Sequence, residues 1–521
     1  MPASLTKRIV RNTLFNFTGR FWAMFLGLLL TPFIVAKLGM AGYGLWSLVL
    51  VITNYLLTWD LGLGNALVRH VAHYYARQDY NGLNSVMSTA LLLYAALATV
   101  AITLTVALRP AVLSAFRVPP EQWEEVGWVL VTAASAFTLG NVLSVFRGFV
   151  TGLQQMHLTN LITTLQATLH ALGTVAFLQL GYGLKGLALN EIITIILTTA
   201  LSALLAFRVF PMLRLNPFLL RRETLKMLLN FGLKLQITSL GGLLGLQLNK
   251  LLISYFLNLN LLATYELGFK MAYSPIVLLR LLVSAIMPAT AELHAQDNWP
   301  ALRRLYHQGL KYVVAAVIPT TTLVVLSADL ITLLWLGQPW SEVSQVIRFL
   351  MLAYGLNLFT AMGTAMARGT GRPGYELRYT LVVRGLSLLL GIFLIQSAGL
   401  TGLLAATLVA IVLGSLYFLV LWHRFLQVAW RVLWQEVYAK PLLASLVAAA
   451  PAYAAIHITR LHLSGGRLFQ AIALAISTTL FIAIYSLLLW RSRHWDTRDR
   501  RLWYSLVPTR WEALLTRSSR G

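Results

Sequence analysis

The sequence predicts an all-α polytopic membrane protein with about 14 transmembrane helices, arranged as two six-helix lobes in a parallel pseudo-two-fold repeat plus two C-terminal helices. Three observations carry this: a lipid-compatible composition, a one-sided distribution of basic residues, and an internal repeat. Of 521 residues, 58% are hydrophobic and 11% charged, with a mean hydropathy of +0.72. A soluble chain carries about 25% charged residues. Apolar runs of about 20 residues, the length of a helical bilayer crossing, recur from end to end. Lipid offers no partner to a free backbone group, so such runs must cross as helices.

Lys7, Arg8 and Arg11 precede the first apolar run in the manner of a signal peptide. That run continues to about Ala36, contains Arg20 and lacks a small-residue cleavage site, so it reads as an uncleaved first span. Spans follow at roughly 13–36, 43–66, 86–108, 125–148, 157–180, 184–207, 228–256, 260–288, 310–335, 342–367, 375–397, 399–422, 441–459 and 468–490. With the N-terminus in the cytoplasm, 28 of the 41 Lys and Arg fall on cytoplasmic connections and tails. Six fall on the opposite side and seven inside spans: Arg20, Lys234, Lys250, Lys270, Arg280, Arg348 and Arg384. The positive-inside rule predicts that bias, and a miscounted span would erase it. Both termini are therefore expected in the cytoplasm. The net charge of +24 is mostly this orientation signal, and no soluble domain is present to bind nucleic acid. The chain has no cysteine, which excludes disulfides, thiolate metal sites and cysteine nucleophiles.

"LFNFTGR" (14–20) returns as "LLNFGLK" (228–234), which sets Arg20 on Lys234. Tyr43 pairs with Tyr265, and "ARQDYNGL" returns as "HAQDNWPAL", with Gln78-Asp79 facing Gln296-Asp297. Six spans separate the copies, an even number, so the repeat is parallel. The expected parts are an N-terminal lobe at 1–207, a cytoplasmic interfacial linker at 208–227, a second lobe at 228–422, two further spans within 423–490, and a basic cytoplasmic tail at 491–521. "WDLGLGNALVRHVAHYYARQDYNG" (59–82) is then the inner end of span 2 and its elbow.

A charge in mid-span is costly, so intramembrane ions are functional candidates. Arg20 shares a stripe with Asn16, Met24, Gly27 and Thr31; Lys234 occupies the equivalent place on span 7. Glu266 and Lys270 stand at i,i+4, which allows a salt bridge. Lys250 and Arg348, near outer span ends, fit snorkelling. Arg280, Arg384 and Asp60 complete the set, with Glu191 beside Asn190 in span 6 open between roles. Other motifs fail: "GTGRPG" (369–374) follows no strand, and no P-loop exists. His70 and His73 lack a metal-binding context.

"DLGLGNALVR", the "NF" start of span 1 and "LTPFIVAKLGMAGYGLW" across the first outer turn resemble the polysaccharide-transport branch of the multidrug/oligosaccharidyl-lipid/polysaccharide exporter superfamily. The resemblance implies a bacterial inner-membrane flippase, not an enzyme and without cofactor or metal. Its cargo would be an undecaprenyl-pyrophosphate-linked oligosaccharide, carried through a central cavity by alternating access. Membrane lipids and the glycan polymerase and glycosyltransferases of the same pathway are the implied partners. Arg20, Lys234, Lys270, Arg280 and Arg384 suit an anionic pyrophosphate, with Asp60 and Glu266 as coupling or orienting acids. Two alternatives remain: a multidrug/cation antiporter of the same superfamily, which would favour an acidic cavity, and a membrane glycan polymerase or ligase, which would need a long outer loop. The sequence leaves the glycan, the coupling ion and the pathway open.

Overall fold

The computed structural model describes residues 3–57, 62–216, 221–283, 286–462 and 466–495. Side chains are described over the same residues except 3–18, 20, 56–57, 231, 233–246 and 459–462. Among the described residues there is no strand. The chain divides into two compact units, Met1–Lys270 with Gly391–Leu403, and Met271–Leu390 with Leu404–Gly521.

In the first unit α1 (Ala3–Leu57) is two helices joined at Gly39, whose φ of 71° and ψ of 175° only glycine adopts cheaply. The short α2 (Leu63–Ala76) follows, then α3 (Tyr80–Ala115), α4 (Trp123–Gly152), α5 (Met156–Gln179), α6 (Gly183–Val209), α7 (Arg222–Phe256) and the start of α8 (Leu259–Arg280). The second unit holds α9 (Ile286–Ala295), α10 (Trp299–Leu336), α11 (Ser341–Asn357) and α12 (Ala361–Gly369). It also holds most of α13 (Gly374–Leu426), then α14 (Trp430–Leu433), α15 (Ala439–His462) and α16 (Arg467–Arg491). Eleven helices among the described residues are long and apolar enough to cross a membrane. Phe21–Tyr55 and Gly374–Leu426 each contain two expected spans, divided at Gly39 and at Ala398–Gly399. With α7 they account for all fourteen. Leu104, Leu172 and Leu204 in one unit and Leu443 and Leu487 in the other stay exposed, as helices solvated by lipid require.

Span 2 does not run on to residue 66. Helix α1 is described to Leu57, residues 58–61 lie outside the described set, and Gly62 at φ 69° opens α2 as a separate amphipathic helix. Its Leu63, Leu67 and Val71, one turn apart, are buried against Leu83 and Met87 of α3, Phe149 of α4 and Leu228 of α7. Asp79 then caps α3, accepting a hydrogen bond from the Gly82 N–H at 2.8 Å.

The elbow recurs bond for bond, but one residue away from the register of its letters. Gln78 (φ 56°) precedes the cap Asp79, whereas Asp297 (φ 49°) precedes the cap Asn298, which accepts from the Ala301 N–H at 3.1 Å. Asp79 N–H bonds Tyr74 O and Leu83 N–H bonds Asp79 O; Asn298 N–H bonds Leu293 O and Leu302 N–H bonds Asn298 O. Asp79 therefore corresponds to Asn298, not to Asp297. The turn selects any short acceptor at its cap, so Gln-Asp was a misleading anchor.

The linker is partly helix: α7 already begins at Arg222, and residues 217–220 lie outside the described set. Residues 210–216 are non-helical and tied to α3. Asn84 donates to Met212 O and accepts from the Arg214 N–H, and Ser88 accepts from the Asn216 N–H.

Candidate functional site

The facing ends of α7 and α8 bring three charges together in the first unit. Lys250 Nζ lies 2.6 Å from Glu266 Oε2, with side chains 7% and 13% exposed. It also sits 4.7 Å from the Phe269 ring centroid, a cation–π contact. Lys250 is therefore a buried ion-pair partner, not a snorkelling residue. The i,i+4 spacing pointed Glu266 at Lys270, yet its 2.6 Å contact comes from the neighbouring helix.

Lys270 reaches α1 instead. Its Nζ donates to Thr31 Oγ1 at 3.2 Å and lies 5.4 Å from the Tyr43 ring centroid. Thr31 spends its own proton on Gly27 O at 2.6 Å, which leaves a lone pair for the ammonium. Nearby, Asn249 Nδ2 donates to the Tyr265 hydroxyl at 3.1 Å. The cluster holds two lysines and one carboxylate in apolar surroundings.

In the second unit Arg280 is exposed, its guanidinium 6.0 Å from the Tyr273 ring, which meets Tyr354 edge-on. Arg384 is half-buried on α13. Arg348 pairs with Asp329 at 2.8 Å. The side chains of Arg20 and Lys234, and Asp60 altogether, lie outside the described residues.

Sequence reading passed over a polar seam within α4–α6. A cavity of about 30 Å³, room for one or two waters, is lined by Ser144, Arg147, Gln166, Thr198, Thr199 and Ser202 among others. Arg147 Nη1 donates to Gln166 Oε1 at 3.5 Å. Further along, Asn190 Nδ2 bridges His170 O and Thr174 Oγ1, and His170 Nε2 meets Glu191 Oε2 at 2.9 Å. A Cβ on Gly173 would fall 1.8 Å from Asn190 Oδ1, so this seam depends on a glycine. The one-turn spacing of Thr194, Thr198 and Ser202 was its available signal.

The kinked helices, the duplicated elbow and the buried ions define a multi-pass helical membrane protein. The polysaccharide biosynthesis protein family model matches residues 34–345, and the chain belongs to that family. An inward-facing multidrug resistance MATE family transporter of the MOP superfamily superposes with a TM-score of 0.68 at 18% identity, covering 78% of this chain and 94% of that one. The lipid II flippase MurJ, in an inward closed conformation, gives a TM-score of 0.69 at 13% identity over 92% and 99% of the two chains. An uncharacterized membrane protein of Methanocaldococcus jannaschii is 19% identical over 383 residues, 71% of this chain and 76% of its own length.

Proposed function

We propose that the protein is a flippase that moves an undecaprenyl-pyrophosphate-linked oligosaccharide across the bacterial inner membrane by alternating access. Family membership supports the pathway, and the excess of lysine over carboxylate around Glu266 supports the sign of the cargo. Lys250 and Lys270 together outnumber the Glu266 carboxylate in this cluster, and a cationic drug would meet repulsion there. A pyrophosphate instead gains charge-assisted hydrogen bonds that offset its desolvation. Arg20, Lys234, Lys270, Arg280 and Arg384 receive the headgroup, while Asp60 and Glu266 orient or neutralise the cations between cycles.

The chain has no P-loop, so the cycle draws on an ion gradient or the membrane potential, worth about 2.3 kcal/mol per charge per 100 mV. An inward-negative potential favours return of a net-cationic empty carrier. Arg20→Ala and Lys234→Ala should each abolish glycan export while leaving the protein inserted, and Arg20→Lys should retain part of it. Full export by the double alanine variant at normal expression refutes the assignment.

A further inference from the structure

Two glycines, Gly44 in α1 and Gly62 at the start of α2, stand against backbone of α7 and α8. A Cβ on Gly44 would fall 2.0 Å from Leu259 O, and a Cβ on Gly62 would fall 2.2 Å from Gly232 O. Neither distance admits a side chain, and in both cases the obstacle is main chain, which cannot swing aside. Their partners lie at opposite ends of α7: Gly232 is within it and Leu259 just beyond its last residue Phe256, which is 24 residues and so roughly 36 Å from Gly232 at 1.5 Å per residue, enough to cross the bilayer core. One contact therefore sits at each membrane face, and both are made at once.

Their surroundings differ. Around Gly44 the contact is polar, with Lys270 on Thr31 and Tyr43 and with Glu266 on Lys250. Around Gly62 it is mainly apolar: Leu228 of α7 is fully buried with Leu63 and Leu67, and Ser85 and Thr224 hydroxyls meet at 3.3 Å. Helices α1 and α2 belong to the first repeat, α7 and α8 to the second. A carrier must part these pairs at one face while keeping them together at the other.

We infer that Gly44 on Leu259 and Gly62 on Gly232 are the two closure points of the transport cycle, and that Lys270 with Thr31 and Tyr43 latches the closure at the Gly44 face. This rests on the alternating-access reading. Its two sides are unequal by construction. The Gly44 face is held by hydrogen bonds and charge, which a competing anion can displace. The Gly62 face is held by buried apolar surface, which an anion does not weaken.

The chain has no cysteine, so single-cysteine reporters are unambiguous. Ser47→Cys, three residues from Gly44 and outside the latch, reports the Gly44 face and Ser85→Cys the Gly62 face, both from buried positions. Labelling by a membrane-impermeant maleimide is followed from each side of membrane vesicles. Gly44→Ala should raise labelling of the Ser47→Cys reporter about fivefold or more, the response to a shift of roughly 1 kcal/mol, and leave the Ser85→Cys reporter unchanged or slower. Gly62→Ala should do the reverse. Gly62 has φ 69°, so Gly371→Ala, at the same φ with open space around it, is the control for backbone strain and should change neither reporter. Lys270→Gln adds no bulk and should raise labelling at Ser47→Cys, which keeps the inference testable if Gly44→Ala fails to insert. Equal effects of both glycine variants on both reporters, or no effect of Lys270→Gln, overturn it. Labelling requires no cargo. Should labelling respond as stated while the Arg20→Ala, Lys234→Ala variant exports glycan normally, the closures stand and the cargo assignment falls.

Discussion

Replacing Lys250 by methionine strands the Glu266 carboxylate where it is 13% exposed, with a 2.6 Å partner removed. Losing one member of a buried pair costs about 3–5 kcal/mol, because the remaining charge keeps its desolvation penalty without its compensation. Lys270 stays one turn away on the same helix and still stabilises a carboxylate, so the cost belongs at the lower end, near 3 kcal/mol. Glu266→Gln alone leaves a buried ammonium that retains its contact with the Phe269 ring. Lys250→Met with Glu266→Gln removes both charges and should recover most of the loss, giving a coupling of about 2 kcal/mol or more. The assay is a double-mutant cycle on the four purified proteins, unfolded by denaturant and followed by tryptophan fluorescence. A Lys250→Met cost below about 1 kcal/mol, or additive single effects, refutes the account of Lys250 as a buried counter-ion.

The two elbows offer a matched pair. Asp79→Ala and Asn298→Ala should each cost about 1 kcal/mol in the same unfolding assay, and Asp79→Asn only a few tenths. At the membrane surface on α2, burial and then the adjacent Arg69 charge hold the His70 imidazole below its ordinary value. The unfolded chain therefore takes up a proton that the folded one resists, and stability present above about pH 6.5 is lost as pH falls. His70→Gln should flatten the decline in melting temperature on acidification; an unchanged pH profile contradicts this.

Patterns confined to one helix were legible in the sequence, and contacts between helices were not. Composition and loop charge predict fourteen spans because both follow the bilayer, which acts on every span alike. The ends of span 2 were misjudged because "LGLGNALV" is apolar enough to continue a crossing, while Gly62 at φ 69° starts a new helix there. The repeat was visible, but its elbow register was not, since a cap can be Asp or Asn while letters demand identity. Among the ions, Glu266 and Lys270 were found by cost alone. Their partners Lys250, Thr31 and Tyr43 come from other helices, which i,i+4 spacing cannot reach. Arg147 was missed for a similar reason: it lies at the end of the fourth expected span, and only the packing of α4 on α5 and α6 sets it beside their shared cavity.

The hydroxyls of that cavity have a consequence for what its wall can recognise. Ser144 gives its proton to Asn141 O, Thr198 to Thr194 O and Ser202 to Thr198 O, each at 2.7 Å. What these three turn outward is lone pairs. These three alcohols accept as ethers do, and Arg147, the Gln166 amide and the Thr199 hydroxyl are the lining groups with polar hydrogens to offer. A water arriving there finds acceptors ready beside the Arg147 donors, and about 30 Å³ leaves room for little more. The same back-bonding recurs at Thr31, Thr53 and Thr138. Satisfying the backbone in lipid thus sets a chemical bias, toward guests that donate, long before any residue is chosen for binding.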